Sequence, residues 1–143
     1  IVIRSSGLYG AEGNAAKGGN FPQRMLARAK EQGKVTMVTD QRLTPTYTPD
    51  LAAATLEAVG KGVDGVLHLT NSGECSWHEF TLAILEETGV EAEVNAVTTT
   101  VPEGGAARPL NGVLARPRAD SLGLTPLRPW REALSEYLAQ PAS

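Results

Sequence analysis

The 143-residue chain suffices for one small domain with a modest core, and it is too short for two. Hydrophobic residues make up 41% and charged residues 20%, an ordinary globular composition that excludes disorder of the whole chain. The formal net charge of −3 disfavours nucleic acid and anionic membranes as partners, and no apolar run reaches the roughly 20 residues of a membrane span.

Strand and helix patterns alternate along the chain. Short β-branched runs between turn residues predict strands, and apolar residues three or four positions apart predict helices. The predicted elements are a buried strand at 1–3, a helix at 21–32, a strand at 35–38, a helix from Thr48 or Asp50 to about Val59, a strand at 66–69, a helix from Ser76, a strand at 94–97 and a helix at 129–139. Residues 100–118 are rich in proline and glycine and are predicted to be irregular. This order predicts an α/β fold with partly parallel strands and flanking helices.

The helix from Ser76 has the clearest local signals. Ser76 and Glu79 have the spacing of a capping box, in which each side chain binds the other residue's backbone N–H. Trp77 and Phe80 recur at helical spacing, and Trp130 lies on the apolar face of the last helix. We therefore expect these three aromatic residues in the core.

Three glycines follow the first strand in a pattern that resembles a dinucleotide-binding fingerprint. Gly7, Gly10 and Gly13 are spaced G-x-x-G-x-x-G, and Asp40 ends a later strand, where a ribose-binding acid can lie. However, seven residues separate Gly13 from the next helix, and Asp40 lies 33 positions after Gly7 instead of about 20. We therefore expect a glycine loop over a binding cleft, and a free-standing dinucleotide-binding module stays an alternative.

Five short blocks extend in order over nearly the whole chain. They are residues 4–10 (RSSGLYG), 20–21 (NF), 38–52 (VTDQRLTPTYTPDLA), 68–80 (HLTNSGECSWHEF) and 108–134, which contain RPLN, GL and PWREAL. Together the blocks resemble the dTDP-4-dehydrorhamnose reductases, a branch of the extended short-chain dehydrogenases with a Rossmann-type fold. No single block is specific to that branch.

The resemblance implies a two-part enzyme. In this family an N-terminal Rossmann half holds NADPH (or NADH), which transfers a hydride to C4 of the sugar. The tyrosine of a Tyr-x-x-x-Lys pair protonates the C4 keto oxygen and the lysine lowers the pKa of that tyrosine, giving dTDP-L-rhamnose. None of the chain's tyrosines, Tyr9, Tyr47 and Tyr137, has a lysine four positions on. We therefore expect residues 1–143 to form a single substrate-binding part without catalytic residues, whose cofactor-binding half precedes Ile1. We expect no tight cofactor binding by this part alone.

The resemblance also implies which residues contact the substrate. The matching positions are Asn20, Phe21, Gln41, Thr46 and Arg108. The amide of Asn20 suits a sugar or phosphate oxygen, although a helix cap explains it equally well. Gln41 and Thr46 lie on the loop that the family turns toward the nucleotide-sugar, and the fork of Arg108 suits a diphosphate. The implied partners are a dTDP-sugar, the cofactor-binding half and a second copy in a homodimer.

Two departures from the family pattern limit what the resemblance implies. Gly7 stands where the family commonly has a tryptophan that packs against the sugar, so the sequence leaves the exact sugar open. Pro49 stands where some members have a glutamate for metal-bridged dimerisation, and therefore no magnesium site is predicted. A nucleotide-sugar epimerase or dehydratase of the same superfamily and a non-catalytic binding subunit stay alternatives.

Cysteine and histidine usage points away from metal and thiol chemistry. The single cysteine, Cys75, excludes an internal disulfide and a multi-cysteine metal site, and it is expected to pack as a small hydrophobic residue. His68 and His78 have no second ligand at metal spacing. These features predict no metal site and are consistent with the cytoplasm.

We predict that the isolated chain does not oxidise NADPH in the presence of dTDP-4-dehydrorhamnose, because it lacks the Tyr-x-x-x-Lys pair whose tyrosine donates the proton to the keto oxygen. The measurement is the loss of NADPH absorbance with a homogeneous chain whose intact mass has been verified. Turnover above the buffer rate would contradict this account.

Overall fold

The computed structural model describes residues 1–11, 18–101, 104–106 and 109–140, and short strands alternate with helices along them. The strands are β1 (Val2–Arg4), β2 (Leu8–Tyr9), β3 (Lys34–Val38), β4 (Arg42–Leu43), β5 (Thr46–Tyr47), β6 (Val66–His68), β7 (Cys75–Ser76) and β8 (Glu93–Val97). The helices are α1 (Phe21–Gln32), α2 (Thr48–Gly60), α3 (Trp77–Thr88), α4 (Pro117–Ser121) and α5 (Trp130–Ala139).

The strands pair two by two in four small sheets. β1 pairs with β6, β2 with β5 and β3 with β8, all in parallel, whereas β4 pairs with β7 in antiparallel orientation. Parallel neighbours need a crossover connection, and helices supply it between β1 and β6 and between β3 and β8. The predicted α/β fold with partly parallel strands is therefore confirmed.

Two helices begin with a complete capping box. In α3 the Ser76 hydroxyl accepts from the Glu79 backbone N–H at 3.1 Å, and the Glu79 carboxylate accepts from the Ser76 N–H at 2.6 Å. These backbone bonds hold the pKa of Glu79 below its usual value. In α1 the same exchange joins Asn20 and Gln23. The predicted start of α3 is thus confirmed, and each box satisfies two backbone donors that a helix start leaves open.

Phe80 lies at the centre of an aromatic core. Its ring centroid is 5.5 Å from that of Phe21, 5.7 Å from that of Tyr9 and 5.7 Å from that of Trp130. Phe80 and Trp130 are buried, and Trp77 packs partly buried against the same cluster. Aromatic pairs at this spacing add stability beyond the area they bury. The expectation that these rings form the core is confirmed.

Some local predictions were wrong. The first strand is not buried, because Ile1 and Val2 are 49% and 58% exposed. Neither Thr48 nor Asp50 caps α2; the cap position is Tyr47, and its side chain makes no capping hydrogen bond. Helix α4 lies partly within the segment predicted to be irregular, since Pro117 fits the first turn of a helix.

The glycine loop packs closely on the chain itself. A Cβ at Gly7, whose φ is +56°, would lie 2.7 Å from Leu43 Cδ1. A Cβ at Gly10 would overlap the Thr48 hydroxyl. Between them, Leu8 and Tyr9 form β2 and pair with β5 instead of leading into a helix. The glycines thus allow the loop to approach β4 and the start of α2, while Gly13 lies outside the described residues.

We predict that Gly10→Ala lowers the free energy of unfolding by about 1–3 kcal/mol, because its Cβ overlaps the Thr48 side chain. Urea denaturation of the chain measures this change. The matched control is Gly60→Ala, at the end of α2, where a Cβ meets nothing within 4 Å and stability stays equal or rises by up to about 1 kcal/mol. The cost at Gly10 should shrink in a Thr48→Ala background, and an equal cost in both backgrounds would refute the clash.

Candidate functional site

A small pocket surrounds Gln41, and we call it the Gln41 pocket. It encloses about 260 Å³. It is lined by Val38, Gln41, Val97, Thr98, Thr99, Thr100, Val101 and Ala106. Apolar side chains with a few fixed polar groups are typical of ligand pockets in proteins.

A hydrogen-bond chain holds the Gln41 side chain in this pocket. The Gln41 amide Nε2 donates to the Thr99 hydroxyl at 2.9 Å, and that hydroxyl donates to the Asp40 carboxylate at 2.7 Å. Asp40 also accepts from the Thr99 backbone N–H. These donors hold the pKa of Asp40 below its usual value, so the carboxylate stays ionised at neutral pH. This chain of hydrogen bonds holds the Gln41 amide in place, and the ionised Asp40 carboxylate is its last acceptor.

A second and larger depression, which we call the polar cleft, encloses about 370 Å³. It is lined by Thr44, Thr70, Asn71, Ser72, Gly73, Glu74, Val113, Leu114 and Arg116. The Glu74 carboxylate is bound by the Arg42 guanidinium at 2.9 Å, which offsets its negative charge. The remaining lining combines hydroxyl and amide side chains with the apolar side chains of Val113 and Leu114 and with one further cation, Arg116. Such a mixed lining suits a ligand that has both polar and apolar parts.

One bridge connects the Gln41 pocket and the polar cleft. Arg42 donates its backbone N–H to Leu110 and accepts from the N–H of Gly112, both at 2.8 Å, so residues 110–112 lie beside β4 in a parallel bridge. Residues 41–44 run from the pocket to the cleft, since Gln41 lines the pocket and Thr44 lines the cleft. Three residues of extended chain cover about 10 Å. The two depressions therefore lie about 10 Å apart along the chain, with the Arg42–Asn111 bridge between them.

Asn20 and Phe21 lie at the start of α1. Both amide hydrogens of Asn20 are used internally, one by the Gly10 carbonyl at 2.6 Å and one by the Tyr137 hydroxyl at 2.8 Å. Its carbonyl oxygen accepts from the Gln23 N–H at 3.0 Å. The structure thus contains the helix cap that the sequence offered as an alternative role for Asn20. Phe21 packs on Trp77, with ring centroids 4.4 Å apart.

The other implied contacts have different surroundings. Thr46 is completely buried in β5, and its hydroxyl donates to the Thr44 carbonyl at 3.1 Å. Thr46 therefore supports the backbone of a residue that lines the polar cleft. Arg108 lies outside the described residues. Gln41 is the implied contact that lines a pocket, and a substrate role for all five residues stays a prediction.

The three tyrosines lie in the interior. Tyr9, Tyr47 and Tyr137 contact one another with ring centroids 5.3–5.9 Å apart, and each is at most 9% exposed. Burial raises the pKa of Tyr9 far above its usual value, and the nearby Asp50 carboxylate adds to this shift. Burial also raises the pKa of the Cys75 thiol to about 12. None of these four residues lines the Gln41 pocket or the polar cleft.

Residues 1–143 match one protein-family model, described as the RmlD substrate binding domain. The chain belongs to this family. It is 40% identical to the spore coat polysaccharide biosynthesis protein SpsK of Bacillus subtilis, over 99% of this chain and 48% of SpsK. It is 36% identical to the dTDP-4-dehydrorhamnose reductase of Mycolicibacterium smegmatis, over 96% of this chain and 42% of that protein. The chain spans about half the length of the curated relatives it matches.

Solved structures give the same family. The fold is similar to that of dTDP-4-dehydrorhamnose reductase from Bacillus anthracis in complex with NADP, with a TM-score of 0.84 and 31% identity over 95% of this chain and 46% of that one. A UDP-glucose 4-epimerase from Thermotoga maritima has a TM-score of 0.73 over 96% of this chain and 44% of that one, at 18% identity, which shows a shared fold alone. The resemblance to dTDP-4-dehydrorhamnose reductases and to extended short-chain dehydrogenases is confirmed.

Within residues 1–11, 18–101, 104–106 and 109–140, none of the helices combines the length and the apolar character that a membrane span requires. The same residues contain no cluster of three or more His, Cys, Asp or Glu side chains that could hold a metal ion.

The sequence did not reveal the ion pair that supports the polar cleft. Arg128 binds the Asp50 carboxylate with two hydrogen bonds of 2.9 Å and also binds Glu136, and these partners raise its pKa. Asn71 donates to the same carboxylate at 2.7 Å and to the Arg128 carbonyl at 3.0 Å, and it accepts from the Tyr47 N–H at 2.9 Å. The residues are far apart in the chain, so only the fold brings them together.

We predict that Arg128→Met lowers the free energy of unfolding by about 2–3 kcal/mol, because it leaves the Asp50 carboxylate without its cation. The Asp50 and Arg128 side chains are 17% and 28% exposed, which keeps the loss below that of a fully buried pair. The control is Arg131→Met, whose pairing with Glu86 is largely exposed and should cost less than about 1 kcal/mol. Equal losses for the two variants in urea denaturation would contradict a special role for Arg128.

Proposed function

We propose that this chain is the nucleotide-sugar-binding part of a dTDP-4-dehydrorhamnose reductase. The complete enzyme reduces the C4 keto group of dTDP-4-dehydro-L-rhamnose with NADPH and yields dTDP-L-rhamnose. The family membership of the whole chain and the similarity to proteins that carry this name support the assignment.

In this proposal the Gln41 pocket and the polar cleft together bind one extended ligand, and the spacing and lining of the two depressions support a nucleotide-sugar. The Gln41 pocket offers an oriented amide among valine and threonine side chains, which suits the edge of a pyrimidine base. The polar cleft, about 10 Å further along, offers hydroxyls and a guanidinium, which suit phosphate and sugar oxygens. In this proposal the base occupies the pocket and the diphosphate and sugar occupy the cleft.

The nicotinamide cofactor does not fit the glycine loop of this chain. The space beside Gly7 and Gly10 is filled by Leu43 and Thr48, and within the described residues Gly7 leads into strand β2 instead of a helix that could bind a pyrophosphate. The buried tyrosines are also not placed to protonate a keto oxygen. We therefore propose that a separate part of the protein binds NADPH and carries the proton donor, while this part binds and orients the sugar.

The proposal for the sugar itself rests on the family name, and Gly7 bears on it. Two further relatives are named a probable dTDP-4,6-dihydroxy-2-methyloxan-3-one 4-ketoreductase, at 36% identity, and a dTDP-4-keto-6-deoxy-D-glucose reductase, at 32%. Their names share a dTDP-linked sugar with a keto group. Gly7 provides no ring for the sugar, and Leu43 and Thr44 lie within about 3 Å of where a side chain would begin. Hydrogen bonding in the polar cleft is therefore proposed to orient the sugar.

We predict that Gln41→Ala weakens the binding of dTDP by about 3–10-fold, because the base loses one neutral hydrogen bond. Isothermal titration calorimetry with the full chain measures the affinity. Gln32→Ala, at the exposed end of α1, is the matched control and should leave the affinity unchanged. Thr99→Val should weaken binding less than Gln41→Ala, since it only frees the Gln41 amide. Wild-type chain that fails to bind dTDP at all would refute the proposed function.

A further inference from the structure

Arg116 has an incompletely paired guanidinium at the polar cleft. Its side chain is only 12% exposed. Its Nε is buried and has no hydrogen-bond partner among the residues that the structure describes. One Nη lies 3.5 Å from the Asp120 carboxylate, at the outer limit of a hydrogen bond, and the Asp120 side chain is 62% exposed. A largely buried cation with so little pairing is energetically costly.

Two neighbouring arginines each form a closer ion pair with a carboxylate. Arg118, two positions on, binds the Asp64 carboxylate and the Val66 carbonyl, both at 3.1 Å, and does not line the polar cleft. Arg42 binds the carboxylate of Glu74, a residue that lines the polar cleft. Arg116 is therefore the lining cation whose donors are left for a ligand, and its position beside Leu114 places it at the cleft wall.

We propose that Arg116 binds the phosphate oxygens of the nucleotide-sugar in the polar cleft. A guanidinium presents parallel N–H groups that match two phosphate oxygens, and a ligand oxygen would satisfy the buried Nε. The inference rests on the proposed function, because it places the diphosphate in this cleft. It makes Arg116 a binding residue that orients the sugar, in addition to any role of Arg108.

The test is a titration of the full chain followed by NMR, with the Arg116 Nε–Hε resonance as the reporter. The ligands are dTDP, thymidine and inorganic pyrophosphate, and the proteins are the wild type, Arg116→Gln and the control Arg118→Gln. We expect dTDP and pyrophosphate to shift the Arg116 resonance and thymidine to leave it in place. Arg116→Gln should weaken dTDP binding about tenfold or more while thymidine affinity stays unchanged. Arg118→Gln should change dTDP affinity by less than about twofold.

The other outcomes separate this inference from the proposed function. Unchanged dTDP affinity in Arg116→Gln, or equal losses for dTDP and thymidine, would overturn the role of Arg116 while the proposed function stands. If the wild type binds no dTDP, the proposed function fails, and the pyrophosphate titration then tests the role of Arg116. Pyrophosphate binding that is lost in Arg116→Gln would support an anion site at Arg116. No pyrophosphate binding by the wild type would overturn that site. If Arg116→Gln does not fold, Arg116→Lys replaces it, with a several-fold loss for dTDP alone expected, since the charge stays but the fork is lost.

Discussion

The polar cleft depends on the ion pair between Asp50 and Arg128. The pair joins the first turn of α2 to the segment before α5, and Asn71 ties the loop after β6 to both. The bidentate geometry fixes two side chains in one plane, so the loop that forms the cleft wall cannot shift without breaking charged hydrogen bonds. A cleft built from loops thereby gains the rigidity that substrate orientation requires.

The distribution of polar groups follows from the same constraint. In the interior, polar side chains are used to fix backbone: Asn20 joins two loops and the last helix, and Thr46 supports Thr44. In the two depressions, polar side chains are held by neighbouring groups, as Gln41 is held by Thr99. This division separates residues that shape the depressions from residues that are proposed to contact a ligand.

The sequence predicted those features that local chemistry determines. The start of α3 followed from Ser76 and Glu79, because a capping box needs only residues three positions apart. The α/β order followed from alternating patterns, and the family followed from blocks of ordinary residues in a fixed order. Strands of two residues such as β4 and β5 were missed, because two residues have no periodicity.

The missing information was long-range. Asp50 and Arg128 are separated by 78 positions, and neither has a local signal for the other. Arg116 lies in an irregular segment like many surface arginines, and only burial distinguishes it. The prediction that the first strand is buried was wrong for the same reason. A β-branched run predicts a strand, but it does not reveal whether other residues cover that strand, and Ile1 and Val2 are exposed.

The β1–β6 sheet has two unlike borders. On the β6 side, Arg118 donates to the Val66 carbonyl and α4 lies alongside, so this border is closed to further pairing. On the β1 side, within the described residues, no strand pairs with Val2–Arg4, and the apolar side chains of Ile1 and Val2 face solvent. An edge strand with unpaired backbone N–H and C=O groups can pair with a further strand. Growth of this sheet, whether by correct assembly or by aggregation at high concentration, therefore has one available direction, outward from β1.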